Sequence, residues 1–408
     1  MSAELLSIVV PAYNEEESVQ AILRRCLAAG RGLVESGAAS EVEVILVDDG
    51  SRDATNRLAR EVPGARVVAH PANRGYGAAL KTGFEAARGV WLGFLDADGT
   101  CDPEFFRELL ALARRERLDV ALGSRMHEGS RMPPVRRLGN WLFRTLVRFV
   151  SKRSVSDVAS GMRVLRRESL ERLYPLPDGL HFTPAMSVRA LLDPGLRIGE
   201  IPMPYEERTG RSKLHVLRDG LRFLRAIVET ALTYRPGFFF SLLASVLAAG
   251  AALLLLLRLG GPEAPVPFYL AEGRLEDWMI FRLLLVSVLL ASSAFLAVLG
   301  RICESLVRVV NRDLIGEPAG PKWLELLPVA GAASWAAALA INARPLGSYL
   351  RTGTISGELW ALPVAGAAFA LIGVQLSAFW AVHRIAWLLA ERERVRARAG
   401  AAERQMLS

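Results

Sequence analysis

Residues 89–103 run Gly89-Val90-Trp91-Leu92-Gly93-Phe94-Leu95-Asp96-Ala97-Asp98-Gly99-Thr100-Cys101-Asp102-Pro103. Val90 to Leu95 is a short apolar run with the length of a buried strand. It breaks at Asp96-Ala97-Asp98, and Gly99 and Pro103 mark the turn that follows. Side chains two apart on a strand point to the same side, so the two carboxylates form a pair. At the C-terminal end of a strand in an open α/β sheet, such a pair faces the crevice where ligands bind. Paired hard oxygens with room for phosphate beside them fit Mg²⁺ or Mn²⁺ carrying a nucleoside diphosphate. An isolated D-x-D is more often a solvated turn, so the weight comes from the flanking pattern.

Upstream, Leu5 to Val10 reads as a first strand, and Pro11-Ala12-Tyr13-Asn14-Glu15 follows it. There Pro11 fixes a turn, Tyr13 offers a flat face to a base, and Glu15 offers an acceptor to a ribose hydroxyl. Val19, Ile22, Leu23 and Leu27 have helical spacing, which predicts a helix to about Leu33. Val42 to Val47 is a second strand ending in Asp48-Asp49-Gly50-Ser51, one of whose acids would face the base or ribose. Val67 to Ala69 is a third, and Asn73-Arg74-Gly75-Tyr76-Gly77-Ala78-Ala79-Leu80-Lys81 then leads into a helix. Gly75 lets the backbone approach a ligand closely, and Lys81 supplies a cation. Strands that alternate with helices and end in acid-bearing turns predict a nucleotide-binding α/β unit.

Taken together, PAYNE, VDDGSRDAT, NRGYGAALKTG and DADGT resemble the family-2 glycosyltransferases of the GT-A (Rossmann-like) fold, over roughly Leu5 to Leu214. Later residues resemble the branch that acts on polyprenyl phosphates: Gly123-Ser124-Arg125, Arg136-Arg137-Leu138-Gly139-Asn140, Asp157-Val158-Ala159-Ser160-Gly161-Met162-Arg163, and Arg208 to Leu214. The resemblance implies inverting transfer of a hexose from a GDP-mannose or UDP-glucose type of donor to a dolichyl or undecaprenyl monophosphate. It implies Mg²⁺ or Mn²⁺ on Asp96 and Asp98, with Pro11, Tyr13, Glu15, Asp48, Asp49, Gly75, Lys81 and Ala97 completing the donor site. Asp98, Arg125 and Asp157 are the expected catalytic residues, Asp157 as an orienting group or weak base. This chain has Thr100 where many members place Gln two residues after the second aspartate, which leaves more of the metal's inner sphere to water. His181 is open to a structural or a functional role.

Chemistry gives the later cations a second reason. Arg125, Arg137, Arg163, Arg211 and Lys213 exceed what one diphosphate needs, and two phosphate-bearing substrates would use them. Arg137, Ser160, Arg163, Arg211 and Lys213 are therefore the expected acceptor side. A phosphomonoester has a second pKa of about 6, so its oxygen is already anionic at neutral pH and needs no strong base. A hydroxyl acceptor, as in a glycolipid or polysaccharide synthase, would need one; a non-catalytic membrane scaffold is the more distant alternative.

Beyond about Arg235 the composition changes. Catalytic residues 1–213 are followed by 214–235, where Leu214, Leu217, Leu221, Leu224, Val228 and Ala231 oppose Arg218, Arg222 and Arg225. That pattern fits an interfacial amphipathic helix or one packed on the domain. Within 236–390, the stretches 238–257, 283–300, 326–343 and 359–382 are expected as four membrane spans, ahead of a basic tail at 391–408. Met1 to Pro11 lacks the pattern of a signal peptide. Arg301, Arg308, Arg312 and Lys322, and the arginines from Arg384 to Arg404, mark those two segments as cytoplasmic. The chain is thus expected as a multi-pass protein of the cytoplasmic membrane, with the catalytic domain and both termini inside. The +8 net charge is explained by anionic lipid and not by nucleic acid. Cys26, Cys101 and Cys303 form no C-x-x-C and fit a reducing compartment. Monomer and homo-oligomer are both compatible with the sequence.

Lys213 stands on a glycine-containing basic loop before the amphipathic segment, and a charged hydrogen bond to phosphate contributes roughly 1.5–3 kcal/mol. Lys213→Ala should therefore lower turnover of polyprenyl phosphate by about 10- to 150-fold and leave nucleotide-sugar binding unchanged. Calorimetry of the donor, paired with transfer at varied acceptor concentration, separates the two terms.

Overall fold

The computed structural model describes residues 4–127, 130, 132–204, 216–257, 264–272, 277–310, 326–353 and 361–406. Two compact units divide the chain, Met1–Ala231 and Leu232–Ser408.

The first unit is built on a sheet of seven strands in the order β3-β2-β1-β4-β6-β5-β7. These are β1 (Leu6–Ala12), β2 (Val42–Asp48), β3 (Ala65–Ala69), β4 (Trp91–Phe94), β5 (Val120–Ser124), β6 (Arg163–Arg166) and β7 (Ile198–Pro202). Its helices are α1 (Val19–Glu35), α2 (Thr55–Arg60), α3 (Tyr76–Ala86), α4 (Phe106–Glu116), α5 (Pro134–Ser151), α6 (Leu170–Leu173), α7 (Phe182–Leu192) and α8 (Val216–Tyr234). β1 pairs in parallel with β2 through Leu6↔Val42 to Ala12↔Asp48, and with β4 through Leu6↔Trp91 to Val9↔Phe94. β6 runs antiparallel to both β4 and β5, so the expected α/β unit is a mixed sheet. Both faces are covered, and every residue of β1 is buried, as its unbroken apolar run requires. On one face α1 and α4 pack Ile22, Leu23, Phe106 and Leu109 against the sheet. On the other, Phe84 of α3 and Phe182 of α7 meet Phe94 of β4, with ring centroids 6.0–6.4 Å apart.

Pro11 was expected to set a turn, but it lies inside β1, opposite Val47. Val9 O accepts from Leu95 N on the β4 side. Two residues later the missing proline N–H points to that side, where β4 has already ended, so no ladder bond is lost. The amphipathic segment is α8. Ile227 is buried with Leu122, Val147 and Val188, and Phe223 stacks 5.9 Å from Phe143, so α8 packs on the catalytic unit. Leu221 and Leu224 remain exposed.

The second unit consists of α9 (Pro236–Leu256), α10 (Pro265–Glu272), α11 (Asp277–Val310), α12 (Leu327–Thr352) and α13 (Ala361–Met406). Three described helices are long and apolar enough to cross a membrane, at Pro236–Leu256, Phe281–Val307 and Leu362–Val382. The remaining expected span coincides with α12, which contains Asn342, Arg344 and Pro345 and is not among the three. α12 nevertheless packs tightly on α13: Ser334 donates to Phe369 O at 2.7 Å, and a Cβ on Gly373 would meet the Trp335 ring at 2.9 Å. Small residues at a close helix crossing are the packing mode of membrane helices.

Four crossings put the catalytic unit and the C-terminus on one side, whereas three put them on opposite sides. Reporter fusions after Arg235 and after Ser408 should both report cytoplasm; a C-terminal reporter on the far side would remove α12 from the spans.

Candidate active site

The strand order reverses between β1 and β4, since β3-β2-β1 runs one way and β4 begins the other half. A crevice opens at such a switch point, beyond the C-terminal ends of the strands. The turns after β1, β2 and β4 therefore share one rim, and these are the turns that carry Tyr13, Asp48 and Asp96.

Side chains bolt the first two turns together. Asn14, in the left-handed region at φ 49°, donates its N–H to Ser51 Oγ (2.9 Å) and accepts from Arg52 N (2.8 Å) through Oδ1. Glu15 contributes its N–H to Thr55 Oγ1 at 2.8 Å. Tyr13 and Glu15 are both half-buried on this rim. Asp48 and Asp49 are buried and engaged. Asp48 accepts from Ser51 N and Asn56 Nδ2, fixing the turn into α2. Asp49 accepts from Arg74 N (2.9 Å) and Gly75 N (2.8 Å), and pairs with His70 Nδ1 at 2.7 Å. Of the two acids, one of which was expected to face a base or ribose, Asp49 thus also anchors the loop before α3.

Gly75 was expected to admit a ligand, but the structure places another loop against it. A Cβ there would meet Asp178 O at 2.5 Å, and Ala78 N donates to that oxygen at 3.1 Å. With φ at 106°, this position also favours glycine. Lys81 likewise reaches the 175–180 loop, its Nζ 2.6 Å from Asp178 Oδ1.

At the end of β4, Asp96 is half-buried, Ala97 is buried, and Asp98 is buried. Tyr76 Oη donates to Asp96 Oδ1 at 2.8 Å. Thr100 donates to Asp98 Oδ1 through both N (3.1 Å) and Oγ1 (2.7 Å). Gly161 forms the wall beside Asp96, for a Cβ there would lie 2.8 Å from the carboxylate carbon. Burial and the neighbouring Asp96 raise the Tyr76 phenol well above its usual range, so it stays a donor. Burial also pushes the Cys101 thiol up, which makes it a neutral packing residue.

Behind the pair lies a second charged cluster. Arg125, at the end of β5, grips Asp157 bidentately, with Nε–Oδ2 at 2.7 Å and Nη2–Oδ1 at 2.9 Å. Asn140 of α5 donates to Asp157 Oδ1 at 2.7 Å, and Arg125 N donates to Oδ2 at 3.0 Å. Burial alone would raise the Asp157 carboxyl, but the Arg125 guanidinium and these hydrogen bonds outweigh it and hold it below the usual range. Asp157 is fully buried and both its oxygens are occupied, which is the geometry of a positioning residue and not of a base. Glu200 of β7, with no signal in the sequence beyond its place in a short strand, accepts from Ser156 N at 2.7 Å and holds that loop in turn.

Arg163 and Ser160, expected on the acceptor side, are fully buried. Ser160 Oγ donates to Gly123 O at 2.6 Å, and Arg163 donates to Ser160 O and Val158 O. Burial brings the Arg163 guanidinium down to about 10, against the opposing charges of Asp157 and Asp96. Arg137 is exposed on α5, donating to Ser130 O at 3.1 Å. Arg211 and Lys213 lie outside the described residues. His181, half-buried before α7, is held below its usual range by burial and by Arg222 of α8.

A family model described as glycosyl transferase family 2 matches residues 7–174. A low-salt glycan biosynthesis hexosyltransferase of Haloferax volcanii is 32% identical over 265 residues, which is 64% of this chain and 61% of that protein. A dolichyl-phosphate hexose transferase of the same organism is 32% identical over 234 residues, 56% of this chain and 95% of its own length. A dodecaprenyl-phosphate galacturonate synthase of Rhizobium johnstonii is 30% identical over 318 residues, 76% of this chain and 89% of its own.

Removing one partner of a buried ion pair costs about 3–5 kcal/mol. Asp157→Ala should lower the unfolding midpoint of the catalytic unit by roughly 6–20 °C. Because the folded carboxyl titrates below its unfolded value, its stabilisation is complete above about pH 4 and is lost as the pH falls through the folded value. The difference in midpoint between wild type and variant should therefore shrink below pH 4, as calorimetry across pH 2–7 would record.

Proposed function

The chain belongs to glycosyl transferase family 2, and from that premise we propose that it moves a hexose from a nucleoside-diphosphate sugar to a polyprenyl monophosphate at the membrane. The observation that carries this reading is the Asp96–Asp98 pair at the end of β4, on the rim where the turns after β1 and β2 converge. Two carboxylates steadied by hydroxyls match the hard-oxygen donor set of Mg²⁺ or Mn²⁺, which takes its other ligands from water and substrate phosphates. When bound there, the cation neutralises charge on the departing diphosphate.

The protein's own residues supply the rest. Tyr13 and the turns around Asp48 and Asp49 hold the nucleoside. Arg125, gripped by Asp157, which Asn140 holds in turn, presents its guanidinium in a fixed direction at the end of β5. A phosphate nucleophile arrives already ionised, so the engagement of both Asp157 oxygens leaves no step without its base. A hydroxyl acceptor would need a free carboxylate in that place. Inversion follows from a single displacement by the phosphate oxygen at the anomeric carbon. The relatives named for dolichyl and dodecaprenyl phosphate support this acceptor class. Support for the membrane comes from the three apolar helices, and from Val135, Leu138, Trp141 and Leu142, which α5 leaves exposed beside its arginines.

Incubating the full chain with undecaprenyl or dolichyl phosphate and a panel of GDP- and UDP-sugars should give a polyprenyl-phosphate sugar with one donor. Asp98→Asn, or excess EDTA, should lower transfer by orders of magnitude without unfolding the protein. Full activity in either condition would overturn the metal assignment.

A further inference from the structure

Each carboxylate of the pair is held by a hydroxyl from a different direction. Tyr76 comes from the first residue of α3 and donates to Asp96 Oδ1 at 2.8 Å. Thr100 comes from the turn after β4 and donates through Oγ1 to Asp98 Oδ1 at 2.7 Å. Thr100 is buried and its hydroxyl donates to the aspartate, at the position where many members of the resembled family place Gln.

Tyr76 is itself fixed on both sides. Immediately before it, Gly75 N donates to Asp49 Oδ2 at 2.8 Å; two residues after it, Ala78 N donates to Asp178 O. Its ring packs against the cluster that contains Leu80, Phe94 and Phe182. The phenol therefore stands on a rigid pivot whose far end is the buried Asp49 of the neighbouring turn.

We propose that the hydroxyls of Tyr76 and Thr100 are positioning groups that set the orientation in which Asp96 and Asp98 receive the metal. The inference rests on the donor-site reading above. A hydroxyl on one oxygen of a carboxylate restricts rotation of the group and selects which lone pairs meet the cation. Without it the carboxylate is less restricted, and ordering it again costs affinity. Groups of this kind, acting through a ligand, typically change metal affinity by about 10- to 100-fold.

The test is Mn²⁺ binding by the full chain in detergent, followed by loss of the free-ion electron paramagnetic resonance signal, first with Mn²⁺ alone and then with UDP or GDP present. Tyr76→Phe keeps the ring and removes only the hydroxyl; Thr100→Val keeps the shape and removes only the hydroxyl. Both should weaken Mn²⁺ binding by about 10- to 100-fold and raise the Mn²⁺ concentration for half-maximal activity to match, with kcat at saturating Mn²⁺ near that of wild type. Thr100→Ser, which restores the donor, should bind within about threefold of wild type. Wild-type affinity in both Tyr76→Phe and Thr100→Val would overturn the proposal, as would a Thr100→Ser variant as weak as Thr100→Val. If wild type fails to bind Mn²⁺ with or without nucleotide, or if Asp98→Asn binds it as tightly as wild type, the donor-site reading falls, and this inference with it.

Discussion

The double pairing of β1 is the constraint on which the site depends. One strand, buried along its whole length, is zipped to β2 through seven residues and to β4 through four. With both faces of β1 buried, the register is held by the pairings on its two edges and by the packing of both layers against it. That register brings three turns to one rim, although they are separated by tens of residues in the chain. Bonds from Asn14 to Ser51 and from Gly75 to Asp49 then tie the turns directly, independently of the strands below.

The second half of the sheet follows a different logic. β6 enters antiparallel between β4 and β5, which carries the 155–162 loop back to the rim. That loop brings charge into a buried place, and the fold answers with pairing. Asp157 meets Arg125 and Asn140, Glu200 meets two consecutive backbone amides, and Arg163 meets two backbone carbonyls. Isolated buried charges would shift their pKa values until neutral. Here the carboxylate of Asp157 is held on its ionised side, and its partner Arg125 is thereby given a set direction at the end of β5.

The first four strands and the alternation with helices were legible because each is a short apolar run closed by an acidic or glycine-rich turn. The D-x-D pair was legible from its place at a strand end among the flanking motifs, since its spacing alone fits a solvated turn as well. Burial of the later cations was not. Arg163 reads in sequence as an exposed cation like Arg137, yet it is fully buried. Ser160 misled in the same way, since a hydroxyl bonded to Gly123 O reads in sequence like one offered to a ligand. The role of Tyr76 was not legible, because a tyrosine between two glycines gives no sign of which carboxylate its hydroxyl will meet. Glu200 had no sequence signal at all: it acts across a non-local pairing of β7 with β5 that no local pattern encodes. α12 shows a further limit, as its packing on α13 is read from glycine contacts whereas its hydropathy is diluted by Asn342 and Arg344.

The wall at Gly161 acts as a ruler for the acid beside it. With main chain on one flank and the Tyr76 hydroxyl on the other, Asp96 has a slot cut to the reach of a two-carbon side chain. The neighbouring position imposes the same measure by other means, because a carboxylate can fold back onto the amide two residues ahead only when its stem is that short. Glutamate carries the same charge and the same oxygens, yet its extra methylene would press on backbone at one position and overshoot the turn at the other. Charge alone therefore does not define this pair; stem length does, and the architecture discriminates between two acids that an electrostatic description would treat as equal.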